Sequence, residues 1–155
     1  MVVCIDSGNL NKHVIFNKNK KMTLELLLKH LFFALWMLPQ NVIGFIYLIF
    51  VNKTKICSII NQEDMPVCMV KKVGGGGSVS LGSFIFISEH ANPNTEAHEL
   101  GHTVQSMYLG PLYLLIIGLP SICWALLRKN GYFKNSSYYE FYTEKWADKI
   151  AGIAR

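Results

Sequence analysis

The run His98-Glu99-Leu100-Gly101-His102 carries the clearest chemical signal in this chain. On an α-helix, residues i and i+4 stand one turn apart on the same face. Two imidazoles placed that way can both reach one Zn2+ at roughly 2.0–2.1 Å. Glu99 sits beside the first histidine, where it can serve as a base. Zinc lowers the pKa of a bound water to roughly 7, and a carboxylate can take its proton as the oxygen attacks a carbonyl. The bland alternative is a helix that carries two surface histidines by accident.

Catalytic zinc keeps three protein ligands and one open position. A third candidate lies downstream, in Glu144-Lys145-Trp146-Ala147-Asp148. On a helix, Glu144 can complete the ligand set. Asp148, one turn on, can accept a hydrogen bond from the outer ring nitrogen of a ligand histidine. Taken alone, Glu144 and Asp148 read equally as a solvated face with Lys145 and Lys149. The upstream motif tips the reading toward ligands.

The two motifs together resemble those of the gluzincin metallopeptidases, and most of all the membrane-embedded branch that includes the CAAX prenyl proteases. In that branch the motifs are separated by membrane helices, and the second ends in Ala-Asp. Here Ala147-Asp148 matches, and Leu109–Leu127 stands where the family has hydrophobic helices. The resemblance covers about the C-terminal third of the chain. It implies His98, His102 and Glu144 as zinc ligands, Glu99 as the catalytic base and Asp148 as a support for a ligand.

Other polar and aromatic residues have weaker claims. His90 precedes the motif and reads as a loop histidine, although it could assist. Gln105 and Ser106 follow the second histidine without a spacing that demands a role. Tyr138, Tyr139 and Tyr142 could supply an oxyanion donor, but tyrosine is enriched at membrane boundaries. Trp36, Trp124 and Trp146 read as anchors or core for the same reason. Gly74 to Gly77 reads as a turn, since no Gly-Lys-Ser/Thr follows to make a phosphate loop.

The elements that must position these groups follow from composition and pattern. The chain has 155 residues, which suits one domain. Only 16% of residues are charged and 51% are hydrophobic, whereas soluble domains carry about 25% charge. Mean hydropathy is +0.27 and the net charge is +5. Lysines flank apolar runs, which suits lipid headgroups, and no nucleic-acid motif is present. Membrane lipid and a peptide or protein substrate are the expected partners. The four cysteines show no C-x-x-C spacing and read as free thiols.

The expected fold is α+β: a mainly helical, membrane-associated domain with a small β-sheet or hairpin ahead of the H-E-x-x-H helix. Residues 1–21 read as a polar lead, with turn residues at 6–9 and a basic patch at 17–21. Residues 22–51 read as an apolar helix or hairpin, with Thr23 as a cap and a break at Pro39-Gln40-Asn41. Residues 52–90 read as a small β region, in which 78–88 is a strand and Phe84 to Ile87 could pair with an extended substrate. Asn92 and Pro93 open a helix over 92–108. Residues 109–127 form a second apolar helix or hairpin, with turn residues at Gly118-Leu119-Pro120. Residues 138–155 form the last helix, with Trp146, Ile150 and Ile153 on one face.

These readings predict a zinc-dependent metallopeptidase at or in the membrane. The alternative is a non-catalytic membrane protein with a structural or binding zinc site, which would need a fourth ligand such as His90. A site-2-type protease would need a downstream Asp-Gly, and none occurs. Two full spans would put His98 and Glu144 on opposite faces of a hydrocarbon core about 30 Å thick. Shallow hairpins in one leaflet avoid that conflict, and the positive-inside rule then puts the site at the cytoplasmic surface.

Overall fold

The computed structural model describes residues 2–6, 24–60, 66–73, 77–88 and 90–154. Among them the fold is α+β and mostly helical, with one small mixed sheet. The strands are β1 (Val2–Asp6), β2 (Lys53–Ile60), β3 (Pro66–Lys72), β4 (Val79–Leu81) and β5 (Phe84–Ser88). The helices are α1 (Leu24–Trp36), α2 (Leu38–Phe50), α3 (Pro93–Leu109), α4 (Leu119–Lys129) and α5 (Tyr142–Ala151). The sheet order is β1-β2-β3-β5-β4. Only β3 and β5 run parallel.

Two strand readings need correction. Residues 1–21 are not wholly a polar lead, because β1 pairs antiparallel with β2 and sets Cys4 opposite Cys57. Val2, Val3 and Ile5 are β-branched and suit a pleated strand; the polar residues after them hid so short a run. The turn at 7–9, the basic patch at 17–21, the Thr23 cap and glycines 74–76 lie outside the described residues. Residues 78–88 form a hairpin rather than one strand. Gly82, at φ +63°, starts the two-residue turn between β4 and β5, a backbone state that other residues rarely adopt.

A further correction concerns the edge of the sheet. Phe84 to Ile87 belongs to β5, which is paired on both sides, so the edge strand is β4. Burial explains the continuous apolar sequence of β5. Ile85 and Ile87 pack with Val67 and Met69 and against Ala91 and Leu100. From the other face, Phe86 meets the Tyr47 ring of α2 edge-on at 4.7 Å.

Both apolar runs are broken. The first breaks at Met37, and α1 meets α2 at 83°. Pro39 then falls in the first turn of α2, where its missing N–H is harmless. The polar residues at this bend are ties. Trp36 Nε1 donates to the Met107 carbonyl at 3.0 Å, and Gln40 Nε2 donates to that of Gly110 at 2.9 Å. Asn41 Oδ1 accepts from the Ser83 N–H at 2.8 Å. The bend is thus fixed to the end of α3 and to the β4–β5 turn.

The second run turns earlier than its sequence suggests. Gly118-Leu119-Pro120 is not a turn. The chain bends by 117° between Pro93–Leu112 and Leu114–Lys129, with a 3₁₀ turn at Gly110–Leu112. Leu114–Gly118 is a π-helical turn that runs on into α4. Pro120 has no N–H to give the Ile116 carbonyl. That carbonyl accepts instead from Tyr142 Oη at 2.5 Å.

Helices α3 and α5 hold the motif residues. Asn92 caps α3 by accepting from the Thr95 N–H at 2.8 Å. A 3₁₀ turn at Tyr138–Glu140, closed by a Ser137–Glu140 capping box, precedes α5. At the far end, the Ile153 and Gly152 N–H groups reach back to the Asp148 and Lys149 carbonyls, the double bond of a Schellman cap. The buried face of α5 is Thr143, Glu144, Ala147 and Asp148. Trp146, Ile150 and Ile153, expected as its packing face, are only half-buried.

Candidate metal centre

Helices α3 and α5 meet at Gly101 and Ala147. A Cβ on Gly101 would lie 2.4 Å from the Ala147 carbonyl oxygen. That is backbone, so it cannot swing aside as a side chain could. The close approach brings the inner faces of the two helices together. Gly101→Ala is expected to cost about 1–3 kcal/mol of stability, the usual range for overpacking, and to weaken metal uptake. Thermal melting and metal titration of this variant check it; wild-type values in both would disprove the tight seam.

His98, His102, Glu144 and Asp148 are brought together in this seam, and all are buried. His98 Nδ1 lies 2.7 Å from Asp148 Oδ1, and His102 Nδ1 lies 2.8 Å from Gln105 Oε1. Both partners are acceptors. A carboxylate has only acceptor oxygens, and the Gln105 amide is oriented by donating Nε2 to the Thr143 carbonyl at 2.9 Å. Each Nδ1 therefore carries a proton, and each ring, when neutral, offers its Nε2 lone pair. The two Nε2 atoms face one oxygen, Glu144 Oε2, at 3.1 and 3.4 Å. Ligand atoms of His98, His102 and Glu144 all lie within 4.8 Å of one another.

Three electron pairs converging in this way need a cation between them. Protons on the rings or a metal ion can supply it. The wider charge balance points the same way. Glu99, Glu144 and Asp148 are three carboxyls, each 5% exposed or less, and buried carboxylates need compensating charge. Burial alone would raise Glu144, yet hydrogen bonds from His102, His98 and Ser121 hold it well below the usual carboxylate range. Burial would lower His102, but Glu144 and Glu99 raise it overall. Glu99 is raised by burial, against the pull of His102, the Ser80 hydroxyl and His98. The group fits a metal ion: three ligands of the right type, with their outer nitrogens already engaged.

A cleft of about 710 Å³ opens over this group. The edge strand β4 forms one wall, and the apolar stretch from Leu114 to Ala125 forms the other. Tyr138 and Tyr139 also line it. Their expected place was a membrane boundary, but the Tyr139 ring stands edge-on to His98 at 5.5 Å. Tyr142 is occupied elsewhere, at the π turn. Trp124 is buried and stacked on Phe141 at 4.8 Å. His90 is exposed in the turn before α3 and is not in the ligand group.

Three contributors were not assigned roles from the sequence. Ser80 Oγ lies 2.8 Å from Glu99 Oε2 and also 2.8 Å from the Glu99 carbonyl. Ser121 and Thr143 contact Glu144. Gln105 stood in view after His102, but its spacing demanded no role. Ser80 had none, since the strand–helix contact joins residues 19 apart. The signal at Ser121 was its isolation as the one aliphatic hydroxyl in an apolar run. Comparison with protein-family models, curated proteins and solved structures finds no match for this chain.

Proposed function

We propose that this protein is a zinc-dependent metallopeptidase acting at a membrane surface, of the gluzincin type that its motifs resemble. The observation that carries the reading is the convergence of two committed Nε2 atoms on one oxygen of Glu144. Zinc bound there would polarise a water and the scissile carbonyl. Glu99 would accept the proton, with its Oε2 end held by Ser80. The free edge of β4 beside the site suits an extended peptide added as a further strand. Tyr138, whose phenol burial raises and so keeps protonated, would offer an O–H to a developing oxyanion.

A non-catalytic zinc site is less favoured. Closed structural sites use four protein ligands, and the group among the described residues has three. The direct test is cleavage of a mixed peptide library by the detergent-purified protein, with one equivalent of zinc or after chelation. Absence of metal-dependent cleavage would leave only the binding role.

The membrane part of the reading rests on exposed apolar side chains. On α1, Leu24, Leu27, Leu28, Leu31, Phe32 and Leu35 all face outward. On α2, Val42, Phe45, Ile46, Ile49 and Phe50 do the same. Soluble proteins rarely show apolar patches of this extent. Among the described residues, no single helix is long and apolar enough to cross a membrane. The two bent pairs suit shallow insertion into one leaflet, with the site on the cytoplasmic side. High salt and alkaline carbonate are therefore expected to leave the protein in the membrane, and detergent to release it. Cysteine reporters at Ser78 and Ser136, in a background lacking the native cysteines, are expected to label from the same side. Release by carbonate, or labelling from opposite sides, would overturn the monotopic arrangement.

A further inference from the structure

The apolar wall of the cleft carries one hydroxyl aimed at a proposed ligand. Ser121 Oγ lies 2.7 Å from Glu144 Oε1 and 2.8 Å from Thr143 Oγ1. Thr143 Oγ1 is itself 3.1 Å from Glu144 Oε1. Two hydroxyl protons serve this triangle. Oε1 is the only member that cannot donate, and it accepts from Ser121 at the shortest of the three distances. Oε2 has no part in the triangle and faces both histidines. The two oxygens of one carboxylate thus have separate partners.

We propose that Ser121 is a positioning residue that restricts Glu144 to one-oxygen ligation through Oε2 and so keeps a coordination position open for water. The proposal rests on the metal reading above. A carboxylate with both oxygens free can ligate a metal through both. The second oxygen would then take the place that a catalytic site leaves for water or substrate. A hydrogen bond to Oε1 opposes that rotation.

The wall is built to hold Ser121 there. The π turn at Leu114–Gly118 adds a residue to the helical turn and so shifts the face that later residues present. Pro120 follows, and Tyr142 Oη seizes the freed Ile116 carbonyl. Helix α5 is therefore tied to this wall at two points, Tyr142 to Ile116 and Thr143-Glu144 to Ser121. π-Helical turns recur at functional sites for this kind of aiming.

The test loads detergent-purified protein with Co2+ and reads its visible absorption, since coordination number and geometry set the band intensity. Four-coordinate cobalt absorbs strongly, and higher coordination weakens the bands. Wild type and Ser121→Thr, which keeps the hydroxyl, are expected to show the strong bands. Ser121→Ala is expected to show weak bands with one cobalt still bound per chain. If Ser121→Ala fails to fold, Ser121→Val against Ser121→Thr isolates the hydroxyl in side chains of equal shape, with the same expectation. A wild-type spectrum in the hydroxyl-free variant overturns the proposal and leaves the metal site standing. Loss of cobalt from a folded hydroxyl-free variant also overturns it, because Ser121 would then serve affinity rather than denticity. No cobalt uptake by the wild type would remove the metal reading itself, and this proposal with it.

Discussion

Purified His98→Ala, His102→Ala and Glu144→Gln proteins are expected to bind zinc at least about 100-fold more weakly than the wild type, because each loses a direct ligand while partners one bond removed already cost about 10–100-fold. The geometry gives each residue its share. His98 and His102 each present an Nε2 whose ring is fixed from behind, by Asp148 and Gln105 respectively. Glu144 supplies the one charge aimed between them. Glu144→Gln keeps its size and its contact with Ser121 while removing that charge, so lost metal could not be ascribed to a cavity. Asp148→Ala and Gln105→Ala are expected to fall in the milder range of about 10–100-fold. Chelator competition measures all five, with circular dichroism to confirm folding. Equal zinc affinity in wild type and the three ligand variants would exclude the metal site.

The same residues show what a sequence reveals and what it withholds. His98 and His102 were legible because helical periodicity fixes their relation locally. Asn92 and Pro93 marked the start of the helix that carries them. Glu144 and Asp148 needed a further step, since their meeting with α3 is a tertiary event. Gly101 is the residue that permits it, and in the sequence it stood unremarked inside the motif.

The misreadings have physical causes as well. Gly118-Leu119-Pro120 has the composition of a turn, but a proline early in a helix needs only a place for the orphaned carbonyl. Tyr142, 26 residues away from Ile116, supplies that place. The buried face of α5 was misjudged because hydrophobic spacing assumes an apolar contact, and here the helix buries a polar site. β5 was taken for an edge because 78–88 was read as one strand, and the Gly82-Ser83 turn that folds β4 back outside it was missed. In the first two cases the deciding partner lies far along the chain.

Glu99→Gln is expected to retain zinc at wild-type affinity and to lose hydrolysis by about 10²–10⁴-fold, the usual contribution of a general base. Glu99 lies on the motif helix but outside the ligand group. Its Oε2 is held by Ser80, and it is buried at the floor of the cleft. The amide fills the same space and keeps a hydrogen-bonding partner for Ser80, so the site should survive the change. What it loses is the ability to take a proton. Burial raises the Glu99 carboxyl above its ordinary value, which brings a base closer to the range where proton transfer from water is effective. The amide has no such capacity at any pH. Cleavage of the peptide library by zinc-loaded wild type and Glu99→Gln, measured together with metal content, separates the outcomes. Retained zinc with lost cleavage is the expected result. Loss of zinc would make Glu99 a structural support of the site. Undiminished cleavage with zinc retained would take the role of base away from Glu99.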